Sequence, residues 1–196
     1  MTEKTFDGGL MPGQPVVLGI DQSLTGFALA AVALSDPSQY EIWVYKSKHS
    51  GVARLVDIRL WLQTKFLFLD EQGHYIRNAA MEGSVLASYS ALKLGELAAV
   101  VKTTMYDFFV EEEEDVAAPL QIPPMTLKKY ATGKGNSKKQ EMMMQVYKRW
   151  GVELNDDNAA DAYALGRMAT GSSITDFEKT IIEQIKDPKY RDQLNF

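Results

Sequence analysis

Hydrophobic and polar residues in the first part of the chain predict three strands and then a helix. Apolar runs at 16–20 and 27–34 flank a tight turn that contains Gly26, and polarity alternates over 41–46. Such short apolar or alternating runs are typical of strands. Apolar residues then recur at helical spacing over 52–69. We therefore expect three antiparallel strands to open the fold.

The second part of the chain predicts a return to the sheet and then several helices. Residues 76–81 form a short strand pattern that ends at Glu82, and a long helical pattern covers 87–110. A crossover of this kind favours a parallel strand. Residues 120–122 are a further candidate strand. Further helices are predicted from Met125 onward and over 139–150, 156–168 and 174–185. The predicted class is α/β, with a mixed central sheet flanked by helices.

Length and composition favour one domain. With 196 residues, 45% of them hydrophobic, the chain has enough apolar surface for one substantial core. We expect a domain over 16–170, between a flexible N-terminal tail (1–15) and a C-terminal tail or helix (171–196). The absence of cysteine excludes disulfides, thiolate metal ligands and thiol nucleophiles. No signal-peptide pattern and no membrane-length apolar run is present, so we expect a cytoplasmic protein without membrane contact.

Positive charge is concentrated in one segment of an acidic chain. The net charge is −5, yet residues 128–149 carry +6, which leaves −11 elsewhere, partly in the acidic run 111–115. Basic clusters of this kind are typical of DNA-binding surfaces. The alternative is that these lysines only solvate the glycine-containing loop 132–138. The candidate DNA-binding residues are Lys128, Lys129, Lys134, Lys138 and Lys139.

Carboxylates occupy positions where a fold of this type places its chemistry. Asp21 ends the first predicted strand, Glu82 ends a later strand, and Asp161 lies in a helix rich in alanine. Asp157 precedes Asp161 by four residues and therefore shares its helix face. Carboxylates that gather repel one another unless a hard cation such as Mg²⁺ neutralises them. Taken singly, each has an ordinary alternative as a turn residue, a helix cap or an exposed acid.

Three segments together resemble the RuvC-like Holliday junction resolvases. They are LGIDQSLTGFALA, MEG followed by SALKLGELAA, and DDNAADAYAL, and the resemblance spans residues 16–169. It implies an RNase H-like fold, a homodimer, and a DNA endonuclease that nicks four-way junctions symmetrically. The compact chain and its acidic run would suit a phage-type member.

The resemblance also implies which residues hold metal. The family's catalytic carboxylates fall on Asp21, Glu82 and Asp161, while its fourth ligand position falls on Asn158. Asn158 can ligate through its carbonyl but supplies no charge, so we take Asp157 as the fourth ligand and keep Asn158 as the alternative. The implied chemistry is phosphodiester hydrolysis with two Mg²⁺ ions per site, for which Mn²⁺ substitutes. Tyr89 is a further DNA-contacting candidate that would stack on unpaired bases, with a core position as its alternative.

Three other functions fit parts of the pattern. The aspartate, serine or threonine, and glycine turn also occurs in the actin and sugar-kinase superfamily, which binds ATP between two nucleotide-binding halves. An RNase H-like nuclease acting on other branched DNA or on RNA–DNA hybrids is the second. The third is a catalytically impaired protein that only binds DNA junctions, an idea prompted by Asn158.

Overall fold

The computed structural model describes residues 2–83, 91–109 and 119–189, which form six strands and six helices. The strands are β1 (Thr2–Asp7), β2 (Pro15–Asp21), β3 (Phe27–Ala33), β4 (Tyr40–Lys46), β5 (Tyr75–Glu82) and β6 (Leu120–Ile122). The helices are α1 (Gly51–Glu71), α2 (Ala91–Phe109), α3 (Pro124–Thr132), α4 (Lys139–Trp150), α5 (Asp157–Ala169) and α6 (Asp176–Lys186). No helix in these ranges is both long and apolar enough to cross a membrane.

All six strands belong to one mixed sheet in the order β1-β4-β3-β2-β5-β6. β2, β3 and β4 pair in antiparallel fashion, and β5 and β6 continue the sheet parallel to β2. The predicted α/β class, with a mixed sheet flanked by helices, is confirmed, whereas the antiparallel part that precedes the crossover has four strands rather than the predicted three, because β1 pairs with β4. The described residues form a single sheet, whereas an ATP site of the actin and sugar-kinase type lies between two such halves.

The N-terminus differs from its prediction. Residues 2–7 form the edge strand β1, which pairs with residues 41–46 of β4. Glu3 accepts a hydrogen bond from the Trp61 indole and forms a 2.7 Å ion pair with Lys65. The flexible tail predicted for residues 1–15 is therefore wrong for 2–7. Side chains of an exposed edge strand are solvated, so the apolar alternation that marks other strands is missing.

Helices cover both faces of the sheet. Alternate residues of β2, including Leu18 and Ile20, pack against α1 and α2, whereas Val17 belongs to the core beneath α3 to α6. Side chains alternate between faces along a strand, so Asp21 shares its face with Val17. By the same alternation Glu82 shares the face of Ala80, which also packs on the α5 side.

A close approach of two backbones sets the position of α5. A Cβ atom added to Gly19 of β2 would come within 2.0 Å of the Ala162 carbonyl oxygen and 2.3 Å of the Gly166 nitrogen. The glycine therefore lets α5 lie directly on the central strand. This contact, two residues before Asp21, brings the face that carries Asp161 to the end of β2.

Helix α6 is attached through a buried ion pair. Glu178 is fully buried and accepts hydrogen bonds from Arg149 and, at 3.0 Å, from the Trp150 indole. Arg149 also donates to the carbonyl oxygens of Tyr130 and Ala131. Arg149 therefore stabilises the attachment of α6 inside the protein, although its charge was counted in the basic segment of the sequence. The C-terminal tail contains a docked helix over 176–186, close to the predicted 174–185.

Candidate active site

The first two carboxylates meet because their strands are parallel neighbours. Ile20 lies beside Met81 in the register of β2 and β5, so Asp21 and Glu82 follow at the same edge of the sheet. Gln22 Nε2 donates to the Glu82 carbonyl oxygen at 2.6 Å and joins the turn after β2 to the end of β5. Sequence reasoning missed Gln22, whose only signal was its place next to Asp21.

The start of α5 is fixed by Asp156. Its carboxylate accepts from the Asn158 backbone nitrogen at 3.1 Å, which makes Asp156 the N-cap of the helix. Lys4 of β1 lies 3.4 Å from the same carboxylate. The edge strand therefore helps to hold the helix that carries Asp157 and Asp161, a link that the sequence gave no means to foresee.

Electrostatics show that the carboxylates from three elements act on one another. Burial, followed by the charges of Glu82 and Asp161, raises the pKa of Asp21 well above its ordinary value. Burial, followed by the charges of Glu82 and Asp157, raises the pKa of Asp161 to about 7. Burial also raises the pKa of Glu82, where a hydrogen bond from Asp21 opposes it.

These shifts have one physical meaning. Asp21 is 4% exposed and its side chain interacts with that of Glu82, so ionisation of both acids together is unfavourable. Neighbouring carboxylates that cannot all ionise retain a proton when no cation offsets their charge. A hard divalent cation would favour the ionised forms instead. The oxygen-only donors and their unfavourable ionisation therefore fit Mg²⁺.

Asp157 is paired with a lysine. Lys139, at the first position of α4, forms an ion pair with the Asp157 carboxylate. This hydrogen bond lowers the pKa of Asp157 and raises the pKa of Lys139. The predicted fourth metal ligand and a predicted DNA-binding residue are thus partners.

Asn158 lies against the turn between β2 and β3. Its side-chain nitrogen is 3.3 Å from the Asp156 carboxylate, and a Cβ atom added to Gly26 would come within 2.5 Å of it. The amide is thereby packed between the helix cap and the turn. Its role as a ligand stays a prediction, as does that of Asp157.

Across residues 2–83, 91–109 and 119–189, no three histidine, aspartate or glutamate side chains are arranged so that they could hold a metal ion as they stand. The Asp21 and Glu82 side chains interact with each other, and Asp157 is paired with Lys139. The oxygen donors of these residues suit Mg²⁺.

Two of the five predicted DNA-binding lysines are close enough to the carboxylates to act on them. Lys128 and Lys139 both lower the pKa of Glu82 and of Asp161. Lys134 is 71% exposed and lies 4.0 Å from Glu141, and Lys129 and Lys138 are exposed. The five lysines therefore include two that act on the carboxylates and three that are exposed on the surrounding surface.

The loop between α3 and α4 is internally bonded. Thr132 Oγ1 lies 2.6 Å from Ser137 Oγ and accepts from the Lys134 backbone nitrogen at 3.1 Å. Gly133 adopts a left-handed conformation (φ 83°) that ends α3, and Gly135 packs against the Met125 carbonyl. The glycines thus shape this turn. Tyr89 and the acidic run 111–115 lie outside the described residues.

Comparisons with solved structures identify the fold. The chain resembles Thermus thermophilus RuvC with a TM-score of 0.55 and 22% sequence identity, over 77% of this chain and 90% of that one. It also resembles T. thermophilus RuvC in complex with a Holliday junction substrate, with a TM-score of 0.59, 20% identity, and coverage of 78% and 91%. No protein-family profile and no curated protein sequence matches. The chain therefore has the RuvC-like, RNase H-like fold that its three sequence segments predicted.

Proposed function

We propose that this chain is a Mg²⁺-dependent endonuclease that resolves four-way DNA junctions by paired, symmetric nicks. The observation that carries the proposal is the mutual influence of Asp21, Glu82 and Asp161, which come from two strand ends and a helix. The RuvC-like fold supports it, because one solved neighbour holds a Holliday junction.

The proposed ligands of two metal ions are Asp21, Glu82 and Asp161, with Asp157 as the fourth and Asn158 as its alternative. When bound, the ions would supply a hydroxide from water and stabilise the departing oxygen of the phosphodiester. The protein holds the carboxylates in a buried place where charge interactions are strong. Mn²⁺ is expected to substitute, because it also accepts oxygen ligands.

The lysines would supply the DNA contacts. Lys128 and Lys139, which already act on the carboxylates, would hold the phosphates next to the cleaved bond. Lys129, Lys134 and Lys138 lie farther out and would bind the arm of the DNA that leaves the site. Such contacts position the backbone without reading bases, which fits a structure-selective enzyme.

A homodimer would present two such sites to opposite strands of a two-fold junction. Helix α2 offers a surface for it. Its buried residues, among them Leu97 and Val101, face the sheet, while Leu92 and Tyr106 are 80% and 57% exposed. Leu92, the exposed Ala99 and Tyr106 are spaced by seven residues and therefore lie along one side of the helix.

One observation favours a second candidate, a protein that binds junctions without cutting them. Asp157 is held by Lys139, and the adjacent candidate ligand is Asn158, which supplies no charge. This arrangement would persist in a binding protein. The difference between the candidates is therefore whether Mg²⁺ displaces those contacts.

A substrate panel tests the proposal. The purified protein is incubated with Mg²⁺ and end-labelled four-way junction, replication fork, linear duplex or RNA–DNA hybrid. Nicks at symmetric positions in two junction strands, at least tenfold faster than in the duplex, are the expected result. Equal cutting of fork and junction would instead indicate a general branched-DNA nuclease, and cutting of the hybrid alone an RNase H-type enzyme. Tight junction binding without cutting in Mg²⁺ or Mn²⁺ would favour the second candidate.

A further inference from the structure

A cavity of about 420 Å³ lies on the face of the sheet that α1 and α2 cover, opposite the face that α5 covers. It lies among Leu24 of the β2–β3 turn, the first residues of α1 and the first turns of α2. β4 and β5 run in the same direction as β2, so the helices that follow them both begin at the edge that carries Asp21. The cavity and the carboxylates therefore share that edge.

The lining of the cavity combines an apolar part with two cations. Leu24, Val52 and Leu55 supply aliphatic surface, and Arg54 and Lys93 supply positive charge. Arg54 Nε donates to the His49 carbonyl oxygen at 2.7 Å, which orients the guanidinium. Arginine has further N–H groups, arranged for phosphate oxygens. The cavity therefore presents one surface for a flat apolar group and another for an anion.

The β2–β3 turn connects this cavity with the carboxylate cluster. Gly26 of the turn lies against Asn158 on the α5 side, while Leu24 packs against the core beneath α1 and α2. A DNA strand laid across the β2–β3 turn would pass from the α5 side of the sheet to the side of α1 and α2. Lys128 and Lys139 are on the first side, and Arg54 and Lys93 are on the second.

We propose that this cavity binds one unpaired nucleotide of the DNA strand next to the branch point. Its base would lie against Leu24, Val52 and Leu55, and its phosphate against Arg54 and Lys93. Glu96, which also lines the cavity, offers an acceptor for the amino group of a base. The volume falls within the range of about 300–1,000 Å³ found for small-molecule sites. This inference rests on the proposed function, since only branched or single-stranded DNA presents such a base.

Binding to the cavity can be measured without any cleavage. Methyl resonances of Leu24, Val52 and Leu55 are followed by NMR while deoxyadenosine 5′-monophosphate, deoxyadenosine or inorganic phosphate is added to the full chain. The monophosphate is expected to shift all three, and the other two probes to act at least about tenfold more weakly, because each makes only half of the contacts. The double variant Arg54→Ala, Lys93→Ala should lose the shifts.

The control is Arg59→Ala, a cation of the same helix that pairs with Asp107 and does not line the cavity. It should keep the monophosphate shifts. Absence of shifts in the wild type, or their persistence in the double variant, overturns the proposal. Equal shifts with inorganic phosphate overturn it too, because they would leave no role for the base.

Junction cleavage provides a second readout. The cavity contacts substrate and transition state alike, so the double variant should raise KM about tenfold and leave kcat within about twofold. The dependence of its junction affinity on salt concentration should also become less steep, by roughly the slope that one phosphate contact contributes. An unchanged KM in a nicking-competent double variant overturns the cavity proposal alone. If the wild type cuts no junction, the proposed function fails, and the nucleotide titration still decides whether the cavity binds its ligand.

Discussion

Lys139 at the start of α4 and Asp157 in the first turn of α5 form an ion pair beside the carboxylate cluster. Each was predicted from the sequence to bind a different partner, DNA phosphate for the lysine and metal for the aspartate. As an ion pair they neutralise each other. Loading of metal and of DNA would therefore separate them, because the cation takes the aspartate and the phosphate takes the lysine.

This relationship predicts opposite effects on the two ligands. Lys139→Met should strengthen Mg²⁺ binding by about two- to fivefold, because it removes a competing charge that is itself largely solvated. The same change should weaken junction binding and reduce its salt slope by about one. Isothermal titration with Mg²⁺ and anisotropy measurements with junction DNA would measure both. Lys148→Met, on the same helix and exposed, is the control, and a loss of affinity for both ligands would contradict the competition.

The close approach of β2 and α5 predicts a strong effect at Gly19. Gly19→Ala places a methyl group within 2.0 Å of the Ala162 carbonyl, so α5 must move away from the strand. We expect a loss of about 1–3 kcal/mol in the free energy of unfolding and weaker metal binding. Gly95→Ala, which meets nothing within 4 Å in α2, should instead stabilise by about 0.5–1 kcal/mol. Urea denaturation would measure both, and equal stabilities would refute the packing argument.

The raised pKa of Asp161 predicts how the metal-free protein responds to pH. Its pKa is about 7 in the folded protein, against an ordinary value of 3.8, so the folded state retains a proton that the unfolded chain releases. The proton on Asp161 therefore contributes its full stabilisation of the folded state below the ordinary pKa of 3.8, and this contribution is lost as pH rises through about 7. Asp161→Asn should remove much of this loss, so the free energy of unfolding of the variant at about pH 8 should exceed that of the wild type by on the order of 2 kcal/mol.

Denaturation in EDTA across the pH range would test that prediction. Asp176→Asn, an exposed acid in the first turn of α6, is the matched control and should retain the wild-type profile. Mg²⁺ should also abolish the loss of wild-type stability that accompanies rising pH, because the cation replaces the proton in offsetting the carboxylate charge. Identical pH profiles for wild type and Asp161→Asn would contradict the coupling among the carboxylates.

The exposed side of α2 predicts the assembly state. Leu92→Glu combined with Tyr106→Glu places charge on both ends of the apolar stripe and should convert a dimer to a monomer, because an unpaired charge is costly to bury. Light scattering after size-exclusion chromatography would measure the mass. Met144→Glu on α4, exposed at 43%, is the control. A monomeric wild type, or a double variant that stays dimeric, would exclude this surface as the interface.

Much of the fold was predictable because its signals are local. The apolar strands of the sheet centre and the 3.6-residue periodicity of α4 and α5 are written in short segments, and β6 and α4 begin and end at the predicted residues. The carboxylates were found because each stands at the end of a strand or in a helix of small residues. Their mutual action follows from parallel strands sharing an edge.

The parts that sequence reasoning missed depend on distant contacts. β1 has no apolar pattern of its own and is defined by its pairing with β4, whose paired residues lie about 34 to 44 positions farther along the chain. Arg149 counted toward the positive charge of the segment 128–149, yet it pairs with Glu178, 29 residues later in the chain. Lys139 and Asp157 are 18 residues apart, and neither residue type predicts the other.

The most direct test of the account is the dependence of junction cleavage on the carboxylate cluster and on Mg²⁺. A labelled four-way junction is incubated with wild type, Asp161→Asn or Asp176→Asn, in Mg²⁺ and then in EDTA. We predict paired nicks with wild type and Asp176→Asn in Mg²⁺, none in EDTA, and a loss of at least about a thousandfold in rate for Asp161→Asn, the scale of removing an electrostatic catalytic group. Nicking that survives EDTA, or that Asp161→Asn leaves unchanged, would contradict the account.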